Sequence, residues 1–498
     1  MSTGEREERA SAANGVDAMS TTPDAGPPRV EWRLRPKVDP EVDAVVLAER
    51  AVERPTAWSP GFLAGAGFHG ALGQVLHLPG APGEPATVLL GTGEQAQPDR
   101  GAVRTAAAEL ARAVSGYRRL AVQPPGPELA ALVEGFLLGG YRFTRYRSAE
   151  PVPVTQLVDV IAPDRADTRA ALLAGRRLGE AVSLARDLVN EPGQALTPRR
   201  FAEPAAEFAA AAGLSCEVWG TERIRQERLG GLLGVARGSL EPPRLVRLGY
   251  RRAGAQRRIA LVGKGVTFDA GGLSLKPTAQ MVDMKADMAG AAAVLAAMTV
   301  LGELDCPVAV DAWLPLTENM PNADPTRIGD VLRMRDGTTV EVRNADAEGR
   351  LILADALLLA GESRPDAIVD VATLTDAAAV ALGPRIAALM GTDGGLLERL
   401  RAAGERAGEP NWPLPLPDSY RPRLRSRIAD LVNYTTGVRH GTALLAGLFL
   451  REFVPPDVPW AHLDIQGTAL CDGPDGEWVA GASGFGVRTL VELLFAGG

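Results

Sequence analysis

Short apolar, β-branched segments alternate with helical patterns along most of this chain, and that alternation limits its fold more than any other feature. In the second half, helical patterns at 288–301 and 351–361 separate the strand-like segments. Those segments are residues 257–263, 307–316, 366–375 and 459–465. Strands that alternate with helices predict a mainly parallel sheet covered on both faces. We therefore expect an α/β fold whose ligands bind beyond the carboxyl ends of the strands.

A smaller unit of the same kind precedes this part. Helical patterns at 101–115 and 127–139 lie among strand-like segments at 86–91, 119–123 and 154–161. One long helical pattern then runs to Pro192, which cannot continue it. The sequence thus predicts a smaller N-terminal α/β domain joined by a long helix to a C-terminal α/β domain with a mixed, mainly parallel sheet. The expected boundaries are a disordered tail at 1–38, the N-terminal domain at 39–165, a linker helix at 166–190 and the second domain at 191–498.

The composition excludes several classes of function. A net charge of −8 argues against general affinity for nucleic acids, which requires a basic surface. Apolar runs are too short for a membrane span, and the first residues do not resemble a secretory signal. Cys216, Cys306 and Cys471 form no metal or disulfide pattern and suit a reducing cytoplasm. With only four histidines and no ligand spacing among them, a histidine-rich zinc site is not expected.

Lysine is rare in this chain, and its distribution is uneven. Of 53 basic residues only four are lysines, and Lys264, Lys276 and Lys285 fall within one short stretch. Arginine cannot lose its proton or ligate a metal, whereas a buried lysine can do both. The cluster therefore indicates chemistry that a guanidinium group cannot perform. A solvated charged loop is the alternative, but the surrounding Gly, Ala and Met residues fit it poorly.

Carboxylates accompany these lysines. Asp269 and Asp287 lie in the same stretch, and Asp346 and Glu348 follow about sixty residues later. Four negative charges in one cleft would raise each other's pKa unless cations neutralised them. Two divalent ions would do so, and such a pair can also activate water and polarise a carbonyl group. Oxygen and amine ligands suit Mg²⁺ or Mn²⁺, and also Zn²⁺ or Co²⁺. A structural ion network without metal remains the alternative.

These motifs resemble the leucine aminopeptidase, or cytosol aminopeptidase, family of two-metal exopeptidases. The resemblance rests on KGVTFDAGGLSLKP, MKADMAGAA and especially NADAEGRLILADAL, where Ala345 replaces the Thr of the family signature. It extends from ARDLVNEPGQALTP to GASGFGVRTLVELL and so covers nearly all of the second domain. The first domain resembles the family only in element order and size.

The resemblance implies a role for each motif residue. It gives Lys276 the role of stabilising the developing oxyanion, and Arg350 that of holding a bicarbonate ion that shuttles protons. Lys285 matches no catalytic position, and a solvent or intersubunit contact is expected for it. The implied metal ligands are Lys264, Asp269, Asp287, Asp346 and Glu348, with Asp269 and Glu348 bridging two divalent ions (Mn²⁺, Zn²⁺ or Co²⁺).

The resemblance also implies a substrate and an assembly. A water bridged by the metals would hydrolyse the first peptide bond of peptides with a free N-terminus, inside a cytoplasmic homo-hexamer. The implied substrate-binding residues are Met284, Asn344, Thr373, Leu374, Asp376 and Gln466. Asp376 stands where relatives usually have Gly, and Gln466 where they usually have Ala. A more polar or smaller pocket should therefore depart from the generic preference for leucine.

Two other functions remain open from the sequence. The altered pocket would also suit a dedicated maturation peptidase that trims one precursor, for instance in the biosynthesis of a peptide natural product. A non-catalytic or DNA-binding regulator is the alternative from a different class. The complete set of metal and catalytic candidates and the acidic net charge disfavour the regulator.

Overall fold

A computed structural model describes residues 30–49, 58–95, 97–148, 154–437 and 440–497. Most of the predicted tail, residues 1–29, lies outside these ranges. The expected boundary at residue 38 is wrong, because Glu31–Arg35 form the first strand, β1, parallel to a later strand of the N-terminal sheet. Trp32 and Leu34 alternate with charged residues and pack on the domain core, with the Trp32 ring edge-on to Phe136 at 5.5 Å. This period of two is the mark of a half-buried strand.

The N-terminal domain is a six-stranded sheet in the order β1-β6-β5-β2-β4-β3, in which only β3 is antiparallel to its neighbour. Its main core lies between one face of the sheet and two helices, where alanine and leucine are fully buried. The further strands are β2 (Ala44–Glu49), β3 (Val75–Leu78), β4 (Ala86–Gly91), β5 (Arg119–Val122) and β6 (Leu157–Ile161). The helices are α1 (Pro60–Gly65), α2 (Arg100–Ala113) and α3 (Leu129–Gly140).

The long helix predicted between the domains is present as α4 (Ala166–Asn190). A buried ion network adds a second connection between the domains. Arg104 of α2 donates through Nε to Glu477 at 3.1 Å, and Arg488 donates to Glu477 at 2.7 Å and to Glu134 of α3 at 3.3 Å. Burial alone would raise the pKa of Glu477, but the two guanidinium groups lower it to about 2. Removing one member would leave a buried charge unpaired, so this network fixes the two domains together.

The C-terminal domain is built on a nine-stranded sheet, ordered β16-β15-β18-β14-β9-β11-β8-β7, with β10 added beside β11. Parallel pairing of β11, β9, β14 and β18 in the centre, and antiparallel pairing of β8 and β15 beside them, give the mixed, mainly parallel sheet that the sequence predicts. The strands are β7 (Ser215–Trp219), β8 (Arg244–Tyr250), β9 (Arg258–Gly263), β10 (Gly265–Asp269), β11 (Ala309–Asn319), β14 (Ala367–Ala372), β15 (Ala387–Gly391), β16 (Asn411–Pro413) and β18 (Trp460–Asp464).

Helices and short strands complete this domain. A small sheet orders β12 (Val331–Arg333), β13 (Thr339–Glu341) and β17 (Leu431–Val432), and β19 (Leu470–Cys471) pairs with β20 (Gly481–Ala482). Met284–Ala286 and Asp418–Leu424 are 3₁₀-helical. The helices are α5 (Pro198–Ala211), α6 (Thr221–Gln226), α7 (Gly230–Ala236), α8 (Thr278–Met281), α9 (Ala289–Thr299), α10 (Gly349–Glu362), α11 (Asp376–Leu382), α12 (Gly394–Ala407), α13 (Thr442–Arg451) and α14 (Val487–Phe495).

Apolar cores cover both faces of the central sheet. On one face α9 is buried on all sides, because its Ala- and Gly-rich sequence lets it approach β9 and β14 closely. On the other face α10 packs on the same strands, and α13 packs on α10. No helix in the described part of the chain is long and apolar enough to cross a membrane. Four central strands end at one edge, where the residues that follow them can meet.

Candidate functional site

The carboxyl ends of the central strands supply the candidate site. Lys264 follows β9, and Asp269 is the last residue of β10. Asp287 ends the 3₁₀ turn before α9, and Glu348 precedes the first residue of α10. The buried strands therefore hold these residues rigidly, although sixty or more positions separate some of them in sequence.

Three of the predicted carboxylates converge. One oxygen each from Asp269, Asp346 and Glu348 lies within 4.8 Å of the other two, an arrangement that could hold a metal ion. Lys276 lies against two of them, with Nζ 3.0 Å from Asp269 and 2.5 Å from Asp346. Asp269 and Glu348 are almost completely buried, at 2% exposed each. Such a cluster needs compensating positive charge.

Asp287 joins the cluster through Lys264. The Lys264 ammonium group is 2.7 Å from Asp287 and 3.0 Å from Glu348, and it also donates to the Thr373 carbonyl oxygen at 2.7 Å. Thr373 donates its hydroxyl group to the same Asp287 oxygen at 2.8 Å. The structure thus brings all five predicted metal-ligating side chains and the predicted catalytic lysine into one connected group.

The charges in this group shift each other's pKa values. Burial, and then the charges of Asp269 and Glu348, raise the pKa of Asp346 to about 7. Burial also raises the pKa of Asp269 and, more strongly, that of Asp287. Glu348 differs, because Lys264 and Lys276 outweigh burial and lower its pKa. The mutual repulsion expected from the sequence is therefore present at three of the four carboxylates.

Within the candidate site, three buried carboxylate oxygens have no hydrogen-bond partner among the described residues: Asp287 Oδ2, Asp346 Oδ1 and Glu348 Oε2. Of these, Asp346 Oδ1 forms the ion pair with Lys276. Buried oxygens of this kind are ordinarily satisfied by hydrogen bonds or metals. The donor set of four carboxylates and one lysine, with unsatisfied oxygens facing a cluster of like charge, fits hard or borderline divalent cations. We therefore treat this group as a candidate metal centre.

Close packing leaves no space for larger side chains next to two of these groups. A Cβ atom at Gly349 would lie 2.5 Å from the Lys264 Cε atom. Gly271 has a φ of +87°, and a Cβ atom there would lie 2.9 Å from Asp346 Oδ1. Position 271 therefore requires glycine, which adopts a left-handed backbone readily and has no Cβ atom to collide with Asp346.

Arg350 lies beside the ligands on α10 and is buried. It donates to the Asn433 carbonyl oxygen at 2.8 Å, while its Nε has no acceptor among the described residues. Burial lowers the pKa of Arg350 to about 10, although Glu348 opposes this shift. A guanidinium group with a free N–H in a buried position can bind a small planar anion.

Several residues that the sequence reasoning missed support the site. Asn319, the last residue of β11, donates to Asp269 at 2.8 Å and to the Ala345 carbonyl oxygen at 3.0 Å. Asn433 donates to the carbonyl oxygens of Asn344 and Ala347 at 2.7 and 3.2 Å. These amides hold the loop that carries Asp346 and Glu348. Asn319 ends a strand and Asn433 directly follows one, and that position was the signal available in the sequence.

The predicted substrate-binding residues are less closely connected to the ligands. Asn344 accepts the backbone N–H of Asp346 at 2.9 Å, and the N–H groups of Leu374 and Gln466 donate to Asp464 at 3.1 and 3.2 Å. Met284 is half-buried in the 3₁₀ turn, and Asp376 is exposed at the start of α11. The structure therefore places Thr373 against the ligands and leaves Asp376 facing solvent.

Two other expectations can be compared with the geometry. Lys285 donates to the Asn190 carbonyl oxygen at 2.6 Å, so it binds the last residue of α4. Such a cation at the C-terminus of a helix complements the helix dipole. The expected solvent or intersubunit contact of this half-buried residue stays a prediction. Ala345 is buried and lines a cavity of about 10 Å³ with Gly272 and Asn319, where a larger residue would have little space.

Comparisons with known proteins match this architecture. Residues 183–491 match the catalytic domain of the cytosol aminopeptidase family, and residues 51–150 match its N-terminal domain. A probable cytosol aminopeptidase of Leifsonia xyli subsp. xyli is 47% identical over 86% of this chain and 89% of its own. A second from Nocardia farcinica is 45% identical over 86% and 87%.

A solved structure is similar at the level of the whole fold. The bottromycin maturation enzyme BotP, in complex with Mn, is 44% identical, with a TM-score of 0.85 over 91% of this chain and 99% of that one. The resemblance that the motifs indicated is thus confirmed over both domains.

Proposed function

The chain belongs to the cytosol aminopeptidase family, and we propose that it removes the first residue of peptides by metal-assisted hydrolysis, with a preference altered from leucine. The observation that supports this most directly is the convergence of Asp269, Asp346 and Glu348, with Lys264 connecting Asp287 to them.

Five residues would hold two divalent cations, namely Lys264, Asp269, Asp287, Asp346 and Glu348. These cations would supply positive charge that acidifies a water molecule and polarises the scissile carbonyl group. Lys264 would then ligate as a neutral amine, as a ligating nitrogen must. In the structure burial opposes its charge, and Asp287, Glu348 and Asp269 outweigh burial and raise its pKa. Cations that neutralise those carboxylates remove the cause of that increase.

Lys276 and Arg350 would act on the substrate and on its proton. The Lys276 ammonium group lies against two of the clustered carboxylates, so it can donate to the oxygen that becomes negative on the scissile carbon. Neighbouring carboxylates raise its pKa although burial opposes them, which keeps it charged at neutral pH. Arg350, through its free Nε, would hold a bicarbonate ion that supplies a base beside the attacking water.

Chelation tests this proposal. Removal of divalent ions from the purified protein is expected to abolish hydrolysis of a panel of amino-acid amides, and Mn²⁺, Zn²⁺ or Co²⁺ added singly should restore it. The same chelator saturated beforehand with Zn²⁺ has no free capacity, so it serves as the control and should leave activity intact. Metal analysis that finds no bound ion in a protein whose activity survives chelation would contradict the two-metal site.

A dedicated maturation peptidase is the second candidate, and the similarity to BotP favours it. That structure is named as a bottromycin maturation enzyme in complex with Mn, and it covers almost the whole chain at 44% identity. Both candidates share the reaction and differ in substrate range. Asp376 and Gln466, at the ends of neighbouring segments, are the residues through which we expect the range to differ.

The pocket prediction concerns Asp376. We expect Asp376→Gly to raise kcat/KM for leucine substrates by roughly 5- to 150-fold, since a mismatched apolar contact is worth about 1–3 kcal/mol. Asp376 also lies in the first turn of α11, where a carboxylate favours the helix dipole by about 0.3–1 kcal/mol. Asp376→Asn therefore serves as the control that removes the charge but keeps the size. A parent enzyme that already prefers leucine, with a glycine variant unchanged on every substrate, would refute this role.

We also infer a cytoplasmic homo-hexamer whose active sites face an inner cavity. Family membership and the unpaired Cys216, Cys306 and Cys471 support this inference. An enclosed cavity would admit peptides and flexible tails but exclude folded proteins. Light scattering at micromolar concentration should give six times the 52.3 kDa mass of the chain. A monomer that retains full activity would contradict the inference.

A further inference from the structure

One buried carboxylate connects the two segments that border the proposed substrate pocket. Asp464 is the last residue of β18 and is 1% exposed. Its Oδ1 accepts the backbone N–H groups of Leu374 at 3.1 Å, Thr375 at 3.4 Å and Gln466 at 3.2 Å. Its Oδ2 accepts the hydroxyl group of Thr375 at 2.7 Å. The carboxylate therefore holds both segments with four donors.

This contact begins where the sheet stops. The pairing of β14 with β18 ends at Ala372 and Asp464, with one more bond from the Ile465 N–H to the Ala372 carbonyl oxygen at 2.8 Å. Beyond that point backbone pairing no longer fixes residues 373–376 against residue 466. The Asp464 side chain replaces the missing pairing over this distance.

The segment held in this way also contacts the metal ligands. Thr373 immediately precedes the residues that Asp464 binds. Its carbonyl oxygen accepts Lys264 at 2.7 Å, and its hydroxyl group donates to Asp287 at 2.8 Å. Thr373 alone thus connects the residues that Asp464 binds with two of the proposed metal ligands. Asp376 and Gln466 lie at the far ends of the same two segments.

We propose that Asp464 is a positioning residue that sets the selectivity for the substrate's first side chain and the placement of Lys264 and Asp287. It reaches no reacting atom itself. It holds the two segments that border the proposed pocket in place relative to the proposed metal ligands. A shift of these segments would therefore alter both the substrate selectivity and the placement of Lys264 and Asp287. The effect on selectivity rests on the proposed aminopeptidase function. The effect on metal binding can be measured without catalysis.

The chain contains a matched control at a distance from the site. Glu409 is likewise buried and accepts two backbone N–H groups, from Gly486 at 3.0 Å and Thr489 at 2.9 Å, and the Thr489 hydroxyl group at 2.7 Å. Its remaining partner is Arg488 at 3.1 Å. Glu409 therefore has the same kind of hydrogen bonds without a contact to the ligands or the pocket segments.

Asp464→Ala is expected to change the ratio of kcat/KM values across the amide panel by about fivefold or more, and to raise KM more than it lowers kcat. It should also weaken Mn²⁺ binding, measured by calorimetry on the metal-free protein, by about fivefold or more. Glu409→Ala should leave both quantities unchanged even where the melting temperature falls. A folded Asp464→Ala protein with parental ratios and parental Mn²⁺ affinity would overturn the proposal, as would equal effects of Glu409→Ala.

A second pair of variants applies if Asp464→Ala does not fold. Thr375→Val removes the hydroxyl group that donates to Asp464 and that also accepts the Ala378 N–H at 3.3 Å as the N-cap of α11. Thr489→Val removes its counterpart at Glu409. The first should shift the selectivity ratios and the second should not, while Thr375→Ser should restore them. Unchanged ratios in Thr375→Val would overturn the selectivity role. A parent that hydrolyses neither an amide nor a short peptide would instead refute the proposed function, and Mn²⁺ affinity would then decide the positioning role alone.

Discussion

Lys276→Arg is expected to lower kcat by about 10² or more while the protein keeps its metal ions. The substitution retains the charge but replaces a compact ammonium group by a longer planar fork. In the structure Lys276 Nζ is 3.0 Å from Asp269 and 2.5 Å from Asp346, so the donor is held at one point and a guanidinium group cannot occupy it. Steady-state kinetics together with metal analysis of each variant measure both outcomes.

Substitutions of the two neighbouring lysines show whether the charge alone or the exact position of the amino group matters. Lys264→Arg should weaken metal binding instead, because arginine cannot supply a neutral amine and Gly349 packs against the Lys264 side chain. Lys285→Arg is the matched control from the same cluster, since Lys285 binds only the end of α4 among the contacts that the structure gives it. If Lys276→Arg and Lys264→Arg both retained parental activity and metal content, the roles assigned to the two lysines would be incorrect.

Periodicity in the sequence predicted the elements that position the site. The pattern at 257–263 became β9 (Arg258–Gly263), and the linker helix predicted at 166–190 became α4 (Ala166–Asn190). These elements are buried along whole faces, so their apolar spacing reflects the final fold directly. The strand β1 was missed because only Trp32 and Leu34 of its five residues face the core. The other three residues are charged, and so short an alternation gives a weak pattern.

The contacts around the ligands could not be predicted in the same way. Asp464 and Asn319 are single polar residues whose partners come from other strands, and no local pattern shows which backbone groups they will bind. Lys285 is similar, because its acceptor lies ninety-five positions earlier in the chain. The motifs predicted the candidate ligands, whereas the residues that hold them depend on the order of strands in the sheet.

Glu348→Ala is expected to remove metal as well as rate. Glu348 is buried at 2% exposure, its Oε1 lies 3.0 Å from Lys264, and its Oε2 has no donor among the described residues. Alanine removes the carboxylate proposed to bridge both ions, so each ion loses one ligand at once. We expect Mn²⁺ affinity to fall by about 10²-fold or more and kcat/KM by a similar factor, because ligands and their ion act as one unit.

A buried carboxylate on the same helix provides the control for Glu348→Ala. Asp355 of α10 accepts the backbone N–H groups of Leu232 at 3.0 Å and Arg335 at 3.1 Å, away from the ligands. Asp355→Ala should lower the free energy of unfolding by about 1–3 kcal/mol, because two buried N–H groups lose their acceptor, yet leave the Mn²⁺ affinity of the folded protein near that of the parent. Calorimetric titration of both variants separates the two effects. Parental Mn²⁺ affinity in Glu348→Ala would show that Glu348 ligates neither ion, whatever happened to the rate.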